Sequence, residues 1–146
     1  MTAPPFPLPD TDWAPVAPFW AAAADGRLSL PRCDGCQRLV WYPADTCRRC
    51  GGQSRTWVDL SGRGTLFSWV VVHQQFLPQY EPPYVTALVA VDEDPTVRLA
   101  TRLVGVDPLA PGLVIDQPMA VEFGVLAFPG VDGEVTAPFW RPISGS

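Results

Sequence analysis

Hydrophobic and polar residues alternate over most of the chain after residue 54, a pattern typical of β-strands. The longest run, Thr65–Phe76, is rich in β-branched and aromatic residues, and a strand of that length is expected to bend or bulge. Other strands are predicted at Ser54–Leu60, Tyr84–Val91, Val97–Val104, Met119–Phe128 and Val135–Phe139, with turns at Asp92–Pro95 and Gly130–Gly133. Residues 77–83 are predicted to be a loop, and residues 107–112 a loop or a single helical turn.

The five strands after residue 61 are too few to bury a core as an open flat sheet. Closure into a small barrel of the OB type accounts for their number and for the longer connection between the third and fourth strands. A five- or six-stranded sandwich is the alternative, and it is disfavoured because the segment is short for two sheets.

The N-terminal part of the chain follows a different pattern. Residues 1–18 contain six prolines and few apolar anchors, which predicts an extended arm that orders only against a partner. Pro18 at a first helical position, four consecutive alanines and Gly26 just past them predict a short helix. Residues 27–30 alternate and are predicted to be a strand.

Four cysteines, the full complement of the chain, lie within 18 residues as two C-x-x-C knuckles separated by ten residues: Cys33, Cys36, Cys47 and Cys50. Two such knuckles can present four thiolates in a tetrahedron, the geometry of closed structural zinc sites. A stretch this short and polar cannot build a core, so a metal would have to stabilise it. The sequence therefore predicts structural Zn²⁺, with rubredoxin-type iron as the less favoured metal.

Disulfides and a redox-active C-x-x-C are the alternatives to metal. Residues 1–24 have no basic n-region and are interrupted by prolines, so nothing indicates an oxidising compartment, and a cytoplasmic location is expected. Two symmetric knuckles suit a metal better than a redox pair.

Composition and charge narrow the possible partners. The chain has 146 residues and a net charge of −5, and all ten basic residues are arginine. A nucleic-acid binder normally carries a basic footprint, so the acidic balance argues against that class. No apolar run approaches the roughly 18–20 residues that a membrane span requires.

The order and spacing of these elements resemble the DUF35 family, over residues 15–142. The matching segments are Pro18-Phe19-Trp20, Gly26-Arg27-Leu28, the two knuckles, Trp57, Ser61-Gly62-Arg63-Gly64-Thr65, Val71-Val72-His73, Pro83-Tyr84-Val85 and Pro138-Phe139-Trp140-Arg141-Pro142. The sequence departs from the family where a glycine usually precedes the fourth barrel strand, since Asp116 stands there. The turn at residues 92–95 also lacks a frequent glycine.

The resemblance implies a mainly β fold with a short N-terminal helix, a rubredoxin-like zinc ribbon and a five-stranded OB-fold barrel. The corresponding domains are a proline-rich arm with the helix (1–26), the ribbon (27–60) and the barrel (61–146). Members of the family are accessory partners of thiolase-like or lipid-transfer-like enzymes that make or break carbon–carbon bonds on acyl-CoA, including a steroid side-chain aldolase. Some are fused to a MaoC-like hydratase. The resemblance thus implies a hetero-oligomer that helps form an acyl-CoA site and has no complete active site of its own.

Several residues are candidates for contact with a partner or an acyl group. His73 is the single histidine, but no spaced group is positioned to orient it for acid–base chemistry, so an interface or surface role is favoured. The aromatic candidates flank one barrel face, where they either fill the core or form an exposed surface: Phe67, Trp69, Phe76, Tyr80 and Tyr84. Arg48 and Arg49 are weak candidates for the phosphates of coenzyme A.

Three functions remain after these considerations. The favoured hypothesis is an accessory subunit of a thiolase-superfamily aldolase, thiolase or acyltransferase. A single-stranded nucleic-acid-binding module would use the same combination of ribbon and OB-fold. A rubredoxin-like electron carrier would need iron and would leave the barrel unexplained.

Overall fold

A computed structural model describes residues 8–76 and 80–144, which form one helix and seven strands. The elements are α1 (Ala17–Ala24), β1 (Ser29–Cys33), β2 (Arg55–Asp59), β3 (Arg63–Val72), β4 (Tyr84–Val91), β5 (Asp94–Arg102), β6 (Pro118–Leu126) and β7 (Val135–Pro142). The predicted mainly β fold with a short N-terminal helix is confirmed. No helix among these residues has the length and apolar character needed to cross a membrane.

The five strands β3 to β7 form one curled antiparallel sheet in the order β5-β4-β3-β6-β7. Its two edges meet at one end, where Leu103, just after β5, makes a parallel bridge to Trp140 of β7. This half-barrel has the strand order and the parallel closing contact of an OB-fold, so the predicted five-stranded OB-type architecture is confirmed.

The long first barrel strand bends as expected. Its register against β4 shifts between Leu66 and Ser68, which marks a β-bulge. Gly64 lies so close to the backbone of Ala90 that a Cβ there would collide with the Ala90 carbonyl oxygen. The strand is shorter than predicted at its C-terminal end, since pairing stops at Val72.

The ribbon is built on the antiparallel hairpin of β1 and β2, in which Cys33 faces Arg55. The first knuckle leaves the end of β1, and the second knuckle leads back toward the start of β2. Between the knuckles, Leu39 makes a single antiparallel bridge back to Arg32 of β1, and the chain then follows bends and turns. The ten residues between the knuckles are therefore not a strand pair.

One hydrophobic core runs through the helix, the ribbon and the barrel. Phe19 of α1 and Leu30 of β1 belong to the same buried cluster as Leu66, Met119 and Trp140 of the barrel. Leu30, Leu66, Met119 and Trp140 are completely buried. Because the ribbon contributes to this core, its stability is tied to that of the barrel by packing as well as by metal ligands.

The arm differs in part from the expectation. Its first seven residues lie outside the described residues. Residues 10–17 form turns, in which the Trp13 carbonyl accepts hydrogen bonds from the N–H groups of Val16 and Ala17, the Val16 side chain is buried, and the Trp13 ring stacks on Tyr42 with centroids 6.1 Å apart. The expectation of an extended arm that orders only against a partner is therefore wrong for residues 8–16.

Two acidic residues occupy positions that the sequence did not predict. Asp94 was assigned to a turn, but it begins β5 and is buried, with only Asp92 and Glu93 in the turn itself. Asp116 adopts a left-handed backbone with φ of 70°. Asp116 thus adopts the left-handed conformation that glycine usually occupies at this point of the family, which an aspartate can do.

Candidate functional site

The four cysteine sulfurs form a compact cluster without a disulfide. All four Sγ atoms lie within 4.8 Å of one another, with 3.5 Å between Cys33 and Cys50 and 3.7 Å between Cys36 and Cys47. Zinc–sulfur bonds of about 2.3 Å at tetrahedral angles place the sulfurs about 3.8 Å apart. The cluster therefore has the dimensions of a four-thiolate zinc site.

The backbone around the cysteines is shaped to hold thiolates. Main-chain N–H groups donate to two sulfurs, from Arg49 to Cys47 at 3.4 Å and from Gly52 to Cys50 at 3.4 Å. A Cβ on Gly35 or Gly52 would lie 3.3 Å from the Cys50 sulfur, so both glycines keep space open for the cluster. Such N–H donors stabilise negative charge on sulfur.

The pKa values of two of the thiols are shifted in opposite directions. Main-chain N–H groups of Cys50 and Arg49 lower the pKa of Cys47 to about 6. The N–H of Gly52 acts in the same direction on Cys50, but its contact with the Cys33 sulfur, burial and the other two sulfurs outweigh it and raise the pKa of Cys50 to about 11. Four sulfurs this close resist complete ionisation unless a cation joins them. The donor set therefore fits Zn²⁺, and its four protein ligands would leave no open position for catalysis.

Polar side chains of the ribbon are bonded within the protein. Asp34 accepts hydrogen bonds from the hydroxyls of Ser54 and Thr56, which lower its pKa and tie the first knuckle to β2. The guanidinium of Arg49 donates to the Thr96 hydroxyl at 2.7 Å and to the Leu39 carbonyl at 3.4 Å. Of the two arginines suggested for coenzyme A, Arg49 is thus engaged in the fold, and both side chains are exposed to solvent.

A second candidate site is a groove of ≈ 570 Å³ on the barrel. Its walls come from β3, β4, β5 and the residues before β4: Ser68, Trp69, Val70, Tyr80, Tyr84, Thr86, Ala87, Leu88, Ala100, Thr101 and Arg102. The structure therefore brings together three of the aromatic candidates, Trp69, Tyr80 and Tyr84. The groove lies on the strand face and beside the loop that OB-folds use to bind ligands.

Aromatic contacts shape one end of the groove. The Tyr80 ring packs against Tyr84 at 5.8 Å between centroids, and edge-on against Phe128 at 5.3 Å. Because Phe128 follows β6, this contact joins the two barrel loops at that end. Burial raises the pKa of Tyr80, and the guanidinium of Arg102 lies 5.9 Å from the Tyr84 ring centroid. The groove lining is thus mainly apolar and aromatic, with Ser68, Thr86 and Thr101 among its residues and Arg102 as its cation.

The remaining candidates are not among the residues that line the groove. Phe76 is 67% exposed and His73 is exposed, both beyond the end of β3. Phe67 is 42% exposed and is covered on one side by the guanidinium of Arg98, 3.7 Å from the ring centroid. The part of the loop at residues 77–79 lies outside the described residues.

Sequence reasoning missed Arg102 and Phe128 at the groove. Val70 was included in the long strand but was not proposed as a contact residue, although it is 58% exposed. The bulge after Leu66 changes which side chains face outward, and a strict alternation along β3 does not reveal it.

Two family models match the chain. The ChsH2 rubredoxin-like zinc ribbon domain matches residues 20–54, and the ChsH2 C-terminal OB-fold domain matches residues 57–124. The boundary between the two models falls at residues 54–57, at the start of β2, so the OB-fold model also includes most of this second strand of the ribbon hairpin.

Solved and curated proteins agree with these matches. A structure of the Ltp2-ChsH2(DUF35) aldolase has 32% sequence identity and a TM-score of 0.76, over 92% of this chain and 98% of that chain. A DUF35 protein of unknown function from Sulfolobus solfataricus shares the fold at 12% identity, with a TM-score of 0.56, over 92% of this chain and 89% of that one. A probable enoyl-CoA hydratase alpha subunit from Thermomonospora curvata is 37% identical over 85% of the chain, which spans only 36% of that relative.

Proposed function

The chain belongs to the DUF35 family, in its ChsH2 type, and on that premise we propose that it is an accessory subunit or domain of a thiolase-like enzyme that acts on acyl-CoA. The partner would supply the nucleophile, acid and base. This chain would help form the acyl-CoA site of a carbon–carbon bond making or breaking complex, such as an aldolase.

The exposed aromatic groove is the observation that carries this proposal. Tyrosine and tryptophan are enriched in interfaces, and an apolar groove open to solvent suits burial against a partner or an acyl chain. The match to the aldolase structure at 32% identity supports a lipid-transfer-like partner for this chain. The proposed contact residues are Val70, Trp69, Phe76, Tyr80 and Tyr84, with His73, exposed just after β3, as a further candidate.

The ribbon has a structural role in the proposal. Cys33, Cys36, Cys47 and Cys50 would hold one Zn²⁺ that stabilises the knuckles and supplies no reaction chemistry. The proposed domain limits remain 1–26, 27–60 and 61–146, although the core they share makes them one packed unit. The longer curated relative is described as a probable enoyl-CoA hydratase alpha subunit, which supports a further proposal that a hydratase takes part in the same complex.

Co-purification tests the proposal directly. The chain would be co-expressed with a lipid-transfer-like thiolase from the same genome, and each protein would also be produced alone. We expect a stable hetero-oligomer, and a partner that is less soluble or less active when it is alone. Failure to co-purify, with a thiolase equally soluble and active alone, would refute the accessory role.

A second function is favoured by the position of the groove, because OB-folds bind single-stranded nucleic acid on this same face. The guanidinium groups of Arg98 and Arg102 border it, but the net charge of −5 opposes phosphate binding. Fluorescence anisotropy with labelled single-stranded DNA at physiological salt distinguishes the accessory function from nucleic-acid binding. Submicromolar binding would favour the nucleic-acid function over the accessory role.

A further inference from the structure

Asp94 is a buried carboxylate at the boundary between the ribbon and the barrel. It is 5% exposed and begins β5, at the end of the barrel where the ribbon packs. A buried charge is costly unless it is paired and hydrogen-bonded. Its partners therefore indicate why an aspartate stands there.

The partners of Asp94 come from both halves of the ribbon. Arg38 donates to it in a bidentate pair, from Nε to Oδ2 at 3.0 Å and from Nη2 to Oδ1 at 3.1 Å. Arg49 lies 3.6 Å away from Oδ2 through Nη1. The hydroxyl and the main-chain N–H of Thr96 complete the set at 2.6 and 3.2 Å.

Each arginine is bonded through its main chain to a cysteine of a different knuckle. The Arg38 carbonyl accepts a hydrogen bond from the Cys33 N–H at 2.9 Å. The Arg49 N–H donates to the Cys47 sulfur at 3.4 Å. Asp94 is thus linked to each knuckle through one arginine, by a side-chain contact to its guanidinium and a main-chain hydrogen bond from that arginine to a cysteine.

We propose that Asp94 is a positioning residue that fastens both metal-binding knuckles to the barrel and transmits the state of the metal site to β5. With metal bound, the knuckles hold both guanidinium groups on Asp94. When the metal leaves, the knuckles loosen and the start of β5 loses its partners. Because Ala100, Thr101 and Arg102 of the same strand line the groove, the groove would respond as well, and only this last step rests on the proposed function.

The rate of zinc release from the full zinc-loaded chain tests whether Asp94 holds the two knuckles on the barrel. Zinc would be drawn off by excess EDTA and its rate of release measured, for Asp94→Asn and for the control Asp92→Asn, which makes the same charge change at an exposed neighbour. We expect release about tenfold faster for Asp94→Asn, the size of effect typical of groups that orient metal ligands, and no change for the control. Equal rates in both variants would overturn the proposal.

Hydrogen exchange tests whether the state of the metal site affects the start of β5 in the barrel. In the wild-type chain, zinc removal should increase exchange in residues 94–97 as well as in the knuckles. In Asp94→Asn, residues 94–97 should exchange rapidly with or without zinc. Should that variant fail to fold, Arg38→Gln removes the bidentate pair from an exposed side chain and should give the same two results. A wild-type response confined to residues 33–52 would contradict the transmission. A wild-type chain that gives the expected zinc-release and exchange results but binds no thiolase-like partner would support the role of Asp94 and refute only the proposed function.

Discussion

The ribbon and the groove use their side chains in opposite ways. In the ribbon, charged and polar groups are bonded to the protein itself: Asp34 to β2, Arg38 to Asp94, and Arg49 to Thr96. In the groove, the aliphatic side chain of Val70 is 58% exposed, and Trp69, which also lines the groove, is partly buried against the core.

This contrast indicates where function should be sought. A cluster whose ligands and neighbours are all satisfied internally stabilises the fold, whereas an apolar groove at the surface gains most from being covered. The cysteines are the most conspicuous residues of the sequence, yet the less conspicuous groove is the better candidate for contact with partner and substrate.

Removal of a metal ligand gives the largest expected effect and tests the ribbon side of the contrast. Cys47→Ser should bind less than one zinc per chain and lose more than about 4 kcal/mol of unfolding free energy, because structural zinc contributes directly to folding. Since Leu30 and Leu39 belong to the common core, the barrel should melt at a lower temperature too. Metal analysis and thermal unfolding measure both effects.

The control for this change is Thr46→Ser, at an exposed neighbour of the cysteine. It should leave zinc content and melting temperature unchanged. A barrel that melts at the wild-type temperature in Cys47→Ser would mean that the ribbon and the barrel are energetically independent.

A charge placed in the groove tests the other side of the contrast. Val70→Asp should leave the fold intact, because the side chain is 58% exposed, and should weaken partner binding by about 2 kcal/mol or more, since the aspartate would have to be desolvated. Val114→Asp makes the same change at a residue that is 66% exposed and does not line the groove. Titration calorimetry with the thiolase-like partner compares them, and equal affinities would place the interface elsewhere.

The pH dependence of the unfolding free energy tests how much the ionised Asp94 carboxylate contributes to stability. Burial alone would raise the pKa of Asp94, but hydrogen bonds from Arg38 and Thr96 outweigh burial and lower that pKa from 3.8 to about 2. A carboxylate with a lowered pKa stabilises the fold above its unfolded pKa, and this contribution is lost as the pH falls from about 4 to about 2.

Wild type should therefore exceed Asp94→Asn by about 2 kcal/mol in unfolding free energy at pH 6, and the difference should shrink below pH 4. Urea unfolding at pH 6, 4 and 3 measures it. Both variants lose metal in acid, so the difference between them isolates the carboxylate. A constant difference over this range would show that ionisation of Asp94 does not contribute.

The smallest expected effect concerns the loop before β6. Asp116 has a φ of 70°, where glycine is unstrained and other side chains are not. Asp116→Gly should keep or raise stability by up to about 1 kcal/mol, and Asp116→Ala should lower it by about 1 kcal/mol. Chemical denaturation measures the unfolding free energy of both variants. A more stable Asp116→Ala than Asp116→Gly would contradict the presence of backbone strain at this position.

The sequence predicted the architecture well because its signals were local. Alternation located the strands, and the spacing of the cysteines located the ribbon. The positions of Asp94 and Arg38 were not predictable in this way, since their pairing joins residues 56 apart and depends on how the ribbon packs on the barrel. The groove was predicted in part: aromatic residues marked the face, but the bulge in β3 and the contact of Tyr80 with Phe128 arise only in the folded chain.

The most direct measurement of the central claim is a hydrogen-exchange footprint of this chain in complex with the thiolase-like partner. We predict strong protection of the groove strands, at residues 68–72, 84–88 and 100–102, and little change at the exposed knuckle residues 34–37 and 48–51. Protection confined to the knuckles, with the groove exchanging as it does in the free chain, would contradict the assignment of the groove as the contact surface.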